Sequence, residues 1–340
     1  MKLVKKNWLL TLAVLVLAMV LTACNDKDDT DAAPDSLDEV RLGYFPNLTH
    51  ISTIISLEKG YLKEALGKDI KLTTRTFPDG SAFMEGMSTN TIDLGTVGPT
   101  PALNNYVKNP THEIIAGAIN GGAVLVVRED SGIETIADLD GKTVAIPTIG
   151  STQDIMLMKA LKDAGLSVKT SGGTVNTIKQ APADTAALFL QKQVDAAATQ
   201  EPWGVNLEKN ANAKLLLDHE NFAWGKDSTN TVIVAQKAFT KANPDTTEKI
   251  LKAHIQAIEF IKEKPEEAAD LFISHIKEIT GKELSKEEVT LALQRSIPTY
   301  DVNEDVFKEM ATISKDAGYI ATDKIDGLVN LTYLEKALKK

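Results

Sequence analysis

Residues 39–57, EVRLGYFPNLTHISTIISL, decide the fold. They read as a strand from Glu39 to Tyr44, a loop carrying Pro46, and an apolar helical run from His50 to Leu57. About a hundred residues on the plan returns: a strand from Thr143 to Ile146, then Pro147, then a helical run from Thr152 to Ala164. Pro46 and Pro147 lie 101 positions apart. The next units match at an offset of 102, with Ile92-Asp93-Leu94-Gly95 answering to Val194-Asp195-Ala196-Ala197. Each of these runs into a proline-bearing loop, Gly98-Pro99-Thr100-Pro101 in one and Gln200-Glu201-Pro202-Trp203 in the other.

Alternating strands and helices of this length imply βα units and largely parallel sheets. Repetition of the whole set predicts two similar α/β lobes. Four loops then follow strand carboxyl ends, at 46–50, 97–101, 148–153 and 200–203, where open α/β sheets bind ligands. Facing lobes would gather all four around one cleft. Val124 to Val127, followed by Arg128-Glu129-Asp130-Ser131-Gly132, reads as a strand leaving the first lobe, and Thr231 to Ala235 as the strand returning to it. The expected division is 39–129 with 231–340 in the first lobe and 130–230 in the second. Gly117 to Gly122 and Ser171-Gly172-Gly173 read as turns.

The remainder reads as helix. Asn243-Pro244 is an N-cap with proline at the first helical position, and Leu251, Ile255, Ile258 and Ile261 line one face. Ser285 and Glu288 have capping-box spacing. A further helix runs from about Asn303 to Ala317 and stops at Gly318. His254 falls on an apolar face, as a satisfied core histidine would.

The amino-terminal part reads differently. Lys2, Lys5 and Lys6 precede an uncharged, mainly apolar run of fourteen residues, Trp8 to Leu21, right for a signal-peptide core and short for a membrane span. Leu21-Thr22-Ala23-Cys24 resembles the bacterial lipobox, which implies cleavage after residue 23 and diacylglyceryl transfer to the Cys24 thiol. Residues 24–38 are then the lipidated cysteine and an acidic tether with too little apolar surface to order itself. Cys24 is the only cysteine, so neither a disulfide nor a cysteine-based metal site can form.

A net charge of −10 without any basic stripe argues against nucleic acid. The five histidines show no metal-binding spacing, and no nucleophile elbow, P-loop or dinucleotide fingerprint is present. No catalytic residue, metal or cofactor is therefore expected. The strongest local signal is Gly150-Ser151-Thr152-Gln153-Asp154 at a helix start, where free N–H groups and the helix dipole favour an anion. Thr152 and Gln153 add a hydroxyl and an amide, although Ser151 with Asp154 is also a plain capping pattern. Glu201 beside such a site needs a cation, either a protein lysine or an ammonium on the ligand. Pro202 suits the first position of the following helix. Trp203 serves packing or stacking, and Asn47, Thr49 and His50 are polar groups at another loop-to-helix start. Only four arginines occur, at 41, 75, 128 and 295, so guanidinium clamps are few.

Val40 to His50, Gly98-Pro99-Thr100-Pro101-Ala102, Gly150 to Asp154 and Glu201-Pro202-Trp203, in that order, resemble the solute-binding proteins of ABC importers, nearest to the nitrate/sulfonate/taurine group and its aliphatic-sulfonate binders. The helix after His50 departs from the pattern, with Ile51-Ser52-Thr53 where relatives commonly carry Ala-Pro-Ala. The resemblance implies a two-lobe α/β fold of the periplasmic-binding-protein type II class, its lobes joined by two crossover segments. It implies a monomeric extracytoplasmic receptor, lipid-anchored to the membrane, that closes on a small anionic or zwitterionic solute and delivers it to a permease and its ATPase. Relatives take sulfonates, taurine, nitrate, bicarbonate, aromatic acids or thiamine pyrimidine precursors. Motif positions lining the cleft in that family correspond to Asn47, His50, Gly98, Thr100, Ser151, Thr152, Gln153, Glu201 and Trp203, with Asn230 at the return crossover.

Overall fold

The structure, a computed structural model, describes residues 37–339; Cys24, the signal segment and most of the tether lie outside the described residues. Among the described residues eleven strands form two sheets: β1 (Glu39–Tyr44), β2 (Lys71–Thr76), β3 (Leu94–Val97), β4 (His112–Gly121), β5 (Ala123–Arg128), β6 (Thr143–Ile146), β7 (Asn176–Lys179), β8 (Ala196–Gln200), β9 (Ala213–Leu217), β10 (Thr229–Gln236) and β11 (Ser296–Pro298). The first sheet runs β2-β1-β3-β10-β4-β11 and the second β7-β6-β8-β5-β9. In each, a parallel triplet meets one antiparallel strand supplied by a crossover, β10 in the first and β5 in the second.

The sequence repeat is a structural one. Leu42 and Gly43 pair with Leu94 and Gly95, and Val144 and Ala145 pair with Ala196 and Ala197, every position shifted by 102. The two aspartates of the repeat do the same work. Asp93 Oδ2 accepts the Arg41 backbone N–H at 2.8 Å, and Asp195 Oδ2 accepts that of Thr143 at 2.9 Å. Each carboxylate thereby ties the start of the third parallel strand to the first and pairs with an arginine, Arg41 or Arg128.

Burial explains the strand compositions. Val124 and Val126 of β5 pack with Phe189 and Leu207 on one side of the second sheet, while Leu125 and Val127 pack with Val144, Leu157 and Phe222 on the other. A strand covered on both faces reads as a continuous apolar run. In the first lobe one cluster gathers Phe45, Phe77, Phe83, Leu103, Val232 and Phe307. His254, buried on its helix, sits with Nε2 2.8 Å from the Gly117 carbonyl oxygen, the satisfied core histidine expected.

Several boundaries differ from expectation. Gly117 lies within β4, so only Gly121 and Gly122 of that run turn the chain, both at positive φ (65° and 71°). Because β5 belongs to the second sheet, the first crossing is at these two glycines and not at 129–130. The return crossing precedes Thr229, two residues ahead of the expected strand. A third segment also spans the lobes. Glu288, on helix Lys286–Gln294, accepts from Asn206 and Asn210 of the second lobe, after which β11 rejoins β4. Residues 38–339 accordingly belong to one compact unit.

Candidate functional site

The four loops named from sequence do converge. A cleft of about 240 Å³ lies between the lobes, lined by Asn47, His50, Gly98, Ser151, Thr152, Gln153, Gln200, Trp203 and Asn230, with Thr231, Asp79 and Lys282. Phe45, Phe77, Pro101, Pro147 and Pro182 supply apolar wall. The loops after β1, β2 and β3 face those after β6, β7 and β8, which is the carboxyl-end geometry of open α/β sheets.

Helix Thr152–Asp163 starts at the cleft because Ser151, in extended conformation, caps it: Ser151 Oγ accepts the Asp154 N–H at 3.2 Å. The Asp154 carboxylate turns back, its Oδ2 accepting the Gly150 N–H at 2.8 Å and the Tyr319 hydroxyl at 2.9 Å. Burial pushes Asp154 up, opposed by those two donors. Asn47 is held by its own turn, its Oδ1 accepting from Thr49 N and Oγ1. His50 is buried with Nδ1 2.8 Å from Thr96 Oγ1, and burial pushes it down to about 3, so the ring is neutral in any ordinary solution.

Gly98 and Thr152 meet from opposite lobes. A Cβ on Gly98 would land on Thr152 Oγ1, well inside van der Waals contact, so only glycine allows this approach. The Thr100 N–H points to the same oxygen at 3.5 Å. Thr100's own side chain departs from expectation, because it is fully buried with Oγ1 3.8 Å from Met310 Sδ, outside the cleft.

Glu201 also falls outside the cleft. It is 0% exposed, and its carboxylate meets Arg295 Nη1 at 3.0 Å and accepts the Val205 N–H at 3.1 Å. Burial pushes Glu201 up, partly offset by Arg295 and the Val205 N–H. Its cation is therefore an arginine 94 positions away, neither a lysine nor a ligand ammonium. Pro202 caps the next helix instead of opening it, with a cis peptide bond before it and Trp203 as the first helical residue.

Gln153 lines the cleft with both of its side-chain N–H groups already engaged. Its Nε2 donates to Gln200 Oε1 and to Asn230 Oδ1, both at 2.9 Å. That leaves Asn230 Nδ2, buried with no hydrogen-bond partner among the described residues, together with Thr231 Oγ1 beside it. Strand alternation would send these neighbours to opposite faces. Register shifts between Thr229 and Val232 against β4 break that alternation, and both residues reach the cleft. Gln200 opens the 200–203 loop named from sequence, whereas Thr231, Asp79 and Lys282 carry no local motif. Only the position of Thr231 next to Asn230 hinted at any of those three.

Every charged lining group has a protein partner. Asp79 Oδ1 accepts the Ser81 and Ala82 N–H groups, and its Oδ2 accepts from Lys179 across the lobes at 3.0 Å. Burial raises Asp79, but the Ala82 N–H, Lys179 and the Ser81 N–H outweigh it and hold the carboxyl below its usual range. Lys282 Nζ donates to the Ala183 carbonyl and to Asp184, both at 2.8 Å. None of the four arginines lines the cleft. Among the described residues no group of histidines and carboxylates could hold a metal ion, and no helix is long and apolar enough to cross a membrane.

The model of the NMT1-like family matches residues 33–274. A Bacillus subtilis protein named as an aliphatic sulfonates-binding protein is 29% identical over 338 residues, covering 97% of each chain. The alkanesulfonate-binding protein SsuA from Xanthomonas axonopodis, solved bound to MOPS, superposes with a TM-score of 0.71 at 21% identity, over 84% of this chain and 95% of that one. The periplasmic aliphatic sulphonate binding protein SsuA from Escherichia coli gives 0.70 at 23% identity, over 88% and 92%.

Proposed function

The chain belongs to the NMT1-like family, and from that premise we propose that it is the extracytoplasmic solute-binding component of an ABC importer, taking a small organosulfonate into the interlobe cleft. The observation that carries this reading is the cleft itself: strand carboxyl ends of both lobes surround uncharged donors and an apolar wall, with no unpaired cation. A sulfonate spreads one negative charge over three oxygens and accepts hydrogen bonds without a counter-cation. Phe45, Phe77, Pro101, Pro182 and Trp203 give its carbon part a surface that a bare nitrate or bicarbonate would not use. Relatives named for aliphatic sulfonates support the same solute class.

Both lobes contact the solute only when closed, so binding favours that state. The function is capture and delivery without catalysis, by a monomer that hands its solute to a permease and ATPase. Cys24 would carry the lipid, and residues 25–38 would hold the receptor near the permease, raising its local concentration. Replacing Cys24 with alanine should release the protein from membranes and abolish incorporation of labelled palmitate.

Thermal shift against methanesulfonate, ethanesulfonate, taurine, nitrate and a thiamine pyrimidine tests the solute. A ligand at a hundredfold its dissociation constant stabilises the protein by about 2.7 kcal/mol. Stabilisation by nitrate or the pyrimidine and by none of the sulfonates would replace this reading.

A further inference from the structure

We propose that the cleft, read as an organosulfonate site, accepts only singly charged heads, and that Asn230 Nδ2 and Thr231 Oγ1 are the donors that set this selectivity. The proposal rests on the functional reading above and goes beyond it in naming how charge is discriminated and by which atoms.

Asn230 is 2% exposed and Thr231 1% exposed, yet neither Asn230 Nδ2 nor Thr231 Oγ1 has a hydrogen-bond partner among the described residues. Buried polar groups in folded proteins nearly always find partners, so an unpartnered amide N–H and hydroxyl lining one cleft mark where a ligand supplies the acceptor. Both hydrogens on Gln153 Nε2 are engaged, one by Gln200 Oε1 and one by Asn230 Oδ1, so the Nδ2 end of this cleft-lining residue is the end left unmatched. Gln153 and Gln200 belong to the second lobe and Asn230 to the crossover strand β10. The donor is therefore aimed by the lobe that closes upon it.

His50 is buried beside Thr96 and stays neutral. Asp79 is paired with Lys179, and Lys282 with Asp184. Behind the wall, Arg295 is held between Glu201 and Glu208, and the Asp154 carboxylate lies at the start of helix Thr152–Asp163. Among the described residues no unpaired cation lines the cleft to balance a second negative charge, and carboxylates stand on several sides. Neutral donors can hold a delocalised monoanion, whereas a dianion would lose its hydration without compensation.

Methylphosphonate provides the test, because it has the shape of methanesulfonate and changes from monoanion to dianion near neutrality. Titration calorimetry on the intact folded chain between about pH 5.5 and 8.5 should show methanesulfonate affinity constant within about twofold. Methylphosphonate affinity should fall about tenfold per pH unit once its second proton is lost. Asn230→Asp keeps the oxygen that accepts from Gln153 but exchanges the donor for a carboxylate, and should weaken methanesulfonate about a hundredfold or more. Thr231→Val, which preserves shape, should cost about tenfold, with an unchanged circular dichroism melt as the folding control.

Equal binding of methylphosphonate dianion and methanesulfonate overturns the proposal. So does methanesulfonate binding that tightens on acidification, which would mark a titrating cation, or wild-type affinity in both variants. In each of those cases sulfonate binding itself survives. If no organosulfonate binds the wild-type chain at all, the functional reading fails and this proposal with it.

Discussion

The Glu201 carboxylate meets the Arg295 guanidinium at 3.0 Å in a place closed to solvent. Arg295 also holds both oxygens of Glu208, and its backbone carbonyl accepts the Gly122 N–H at 2.7 Å. The Glu201 N–H in turn donates to Gly122 O at 2.8 Å. Three passes of the chain are thereby knotted at the hinge beneath Gln200 and Trp203.

Removing Arg295 leaves two carboxylates without their cation. Arg295→Met should destabilise the fold by about 3–5 kcal/mol, read by urea denaturation. Glu201→Gln should leave the ratio of taurine to ethanesulfonate affinity where it is in the wild type. A ratio that changes would put the carboxylate in contact with the ligand.

The approach of Gly98 to Thr152 makes a second prediction. Gly98→Ala should weaken solute binding, because its Cβ would occupy the place of Thr152 Oγ1 as the lobes meet. Adding Thr152→Ala should recover part of the loss, since Thr152 Cβ lies 3.5 Å from that position, in ordinary contact. A double-mutant cycle gives the coupling directly. Additive losses would show that the two residues do not meet when solute is bound.

Asp79 and Lys179 link the loops at the two edge strands, β2 and β7, across the cleft. Lys179 is mostly exposed, so the pair contributes at most about 1 kcal/mol. Lys179→Ala should therefore speed solute release by no more than about fivefold at low salt, with little effect at high salt. Asp79→Ala should cost more, about 1 kcal/mol of stability besides, because Asp79 also caps helix Gly80–Ser88. Stopped-flow release at two salt concentrations separates these effects.

Three of the buried histidines contribute to the acid limb of stability. Burial pushes His50 down to about 3, and His112 and His254 down to about 4. Each folded value lies below the unfolded one near 6.5, so below that pH the unfolded chain binds protons that the native one refuses. Stability is fully present above about pH 6.5 and falls towards pH 4, by up to about 1.4 kcal/mol per pH unit for each histidine. His254→Gln, which can still donate to the Gly117 carbonyl, should reduce that slope by one proton. Equal urea midpoints at pH 7 and pH 5 would contradict this.

Much of the frame follows from the sequence alone. The strands Glu39–Tyr44 and Thr143–Ile146, the capped helix starting at Thr152, and the offset of 102 all reappear in place. These are local signals: a strand or helix start depends on side chains within a few residues, and a repeat copies them. The capping box at Ser285 and Glu288 announced helix Lys286–Gln294, but β11, which makes it part of a third span, left no comparable trace, because a three-residue strand has too short a pattern to read. The change of sheet at Gly121–Gly122 was hidden for a related reason, since an apolar strand looks alike whichever sheet covers it.

The cleft divides in the same way. Asn47, His50, Gly98, Ser151, Thr152, Gln153 and Trp203 all line it, because they lie in loops after strand carboxyl ends, which can be located from pattern; Asn230, expected from the family resemblance alone, lines it from strand β10. Tertiary structure alone decided what each residue has left to offer a ligand. Glu201 is a structural carboxylate because Arg295 arrives from 94 positions away, and Thr100 is a core residue because Met310 packs on it. Asn230 keeps a free donor because Gln153 takes its oxygen. Burial and partners are long-range properties of the folded chain, and they determine which polar atoms remain unmatched.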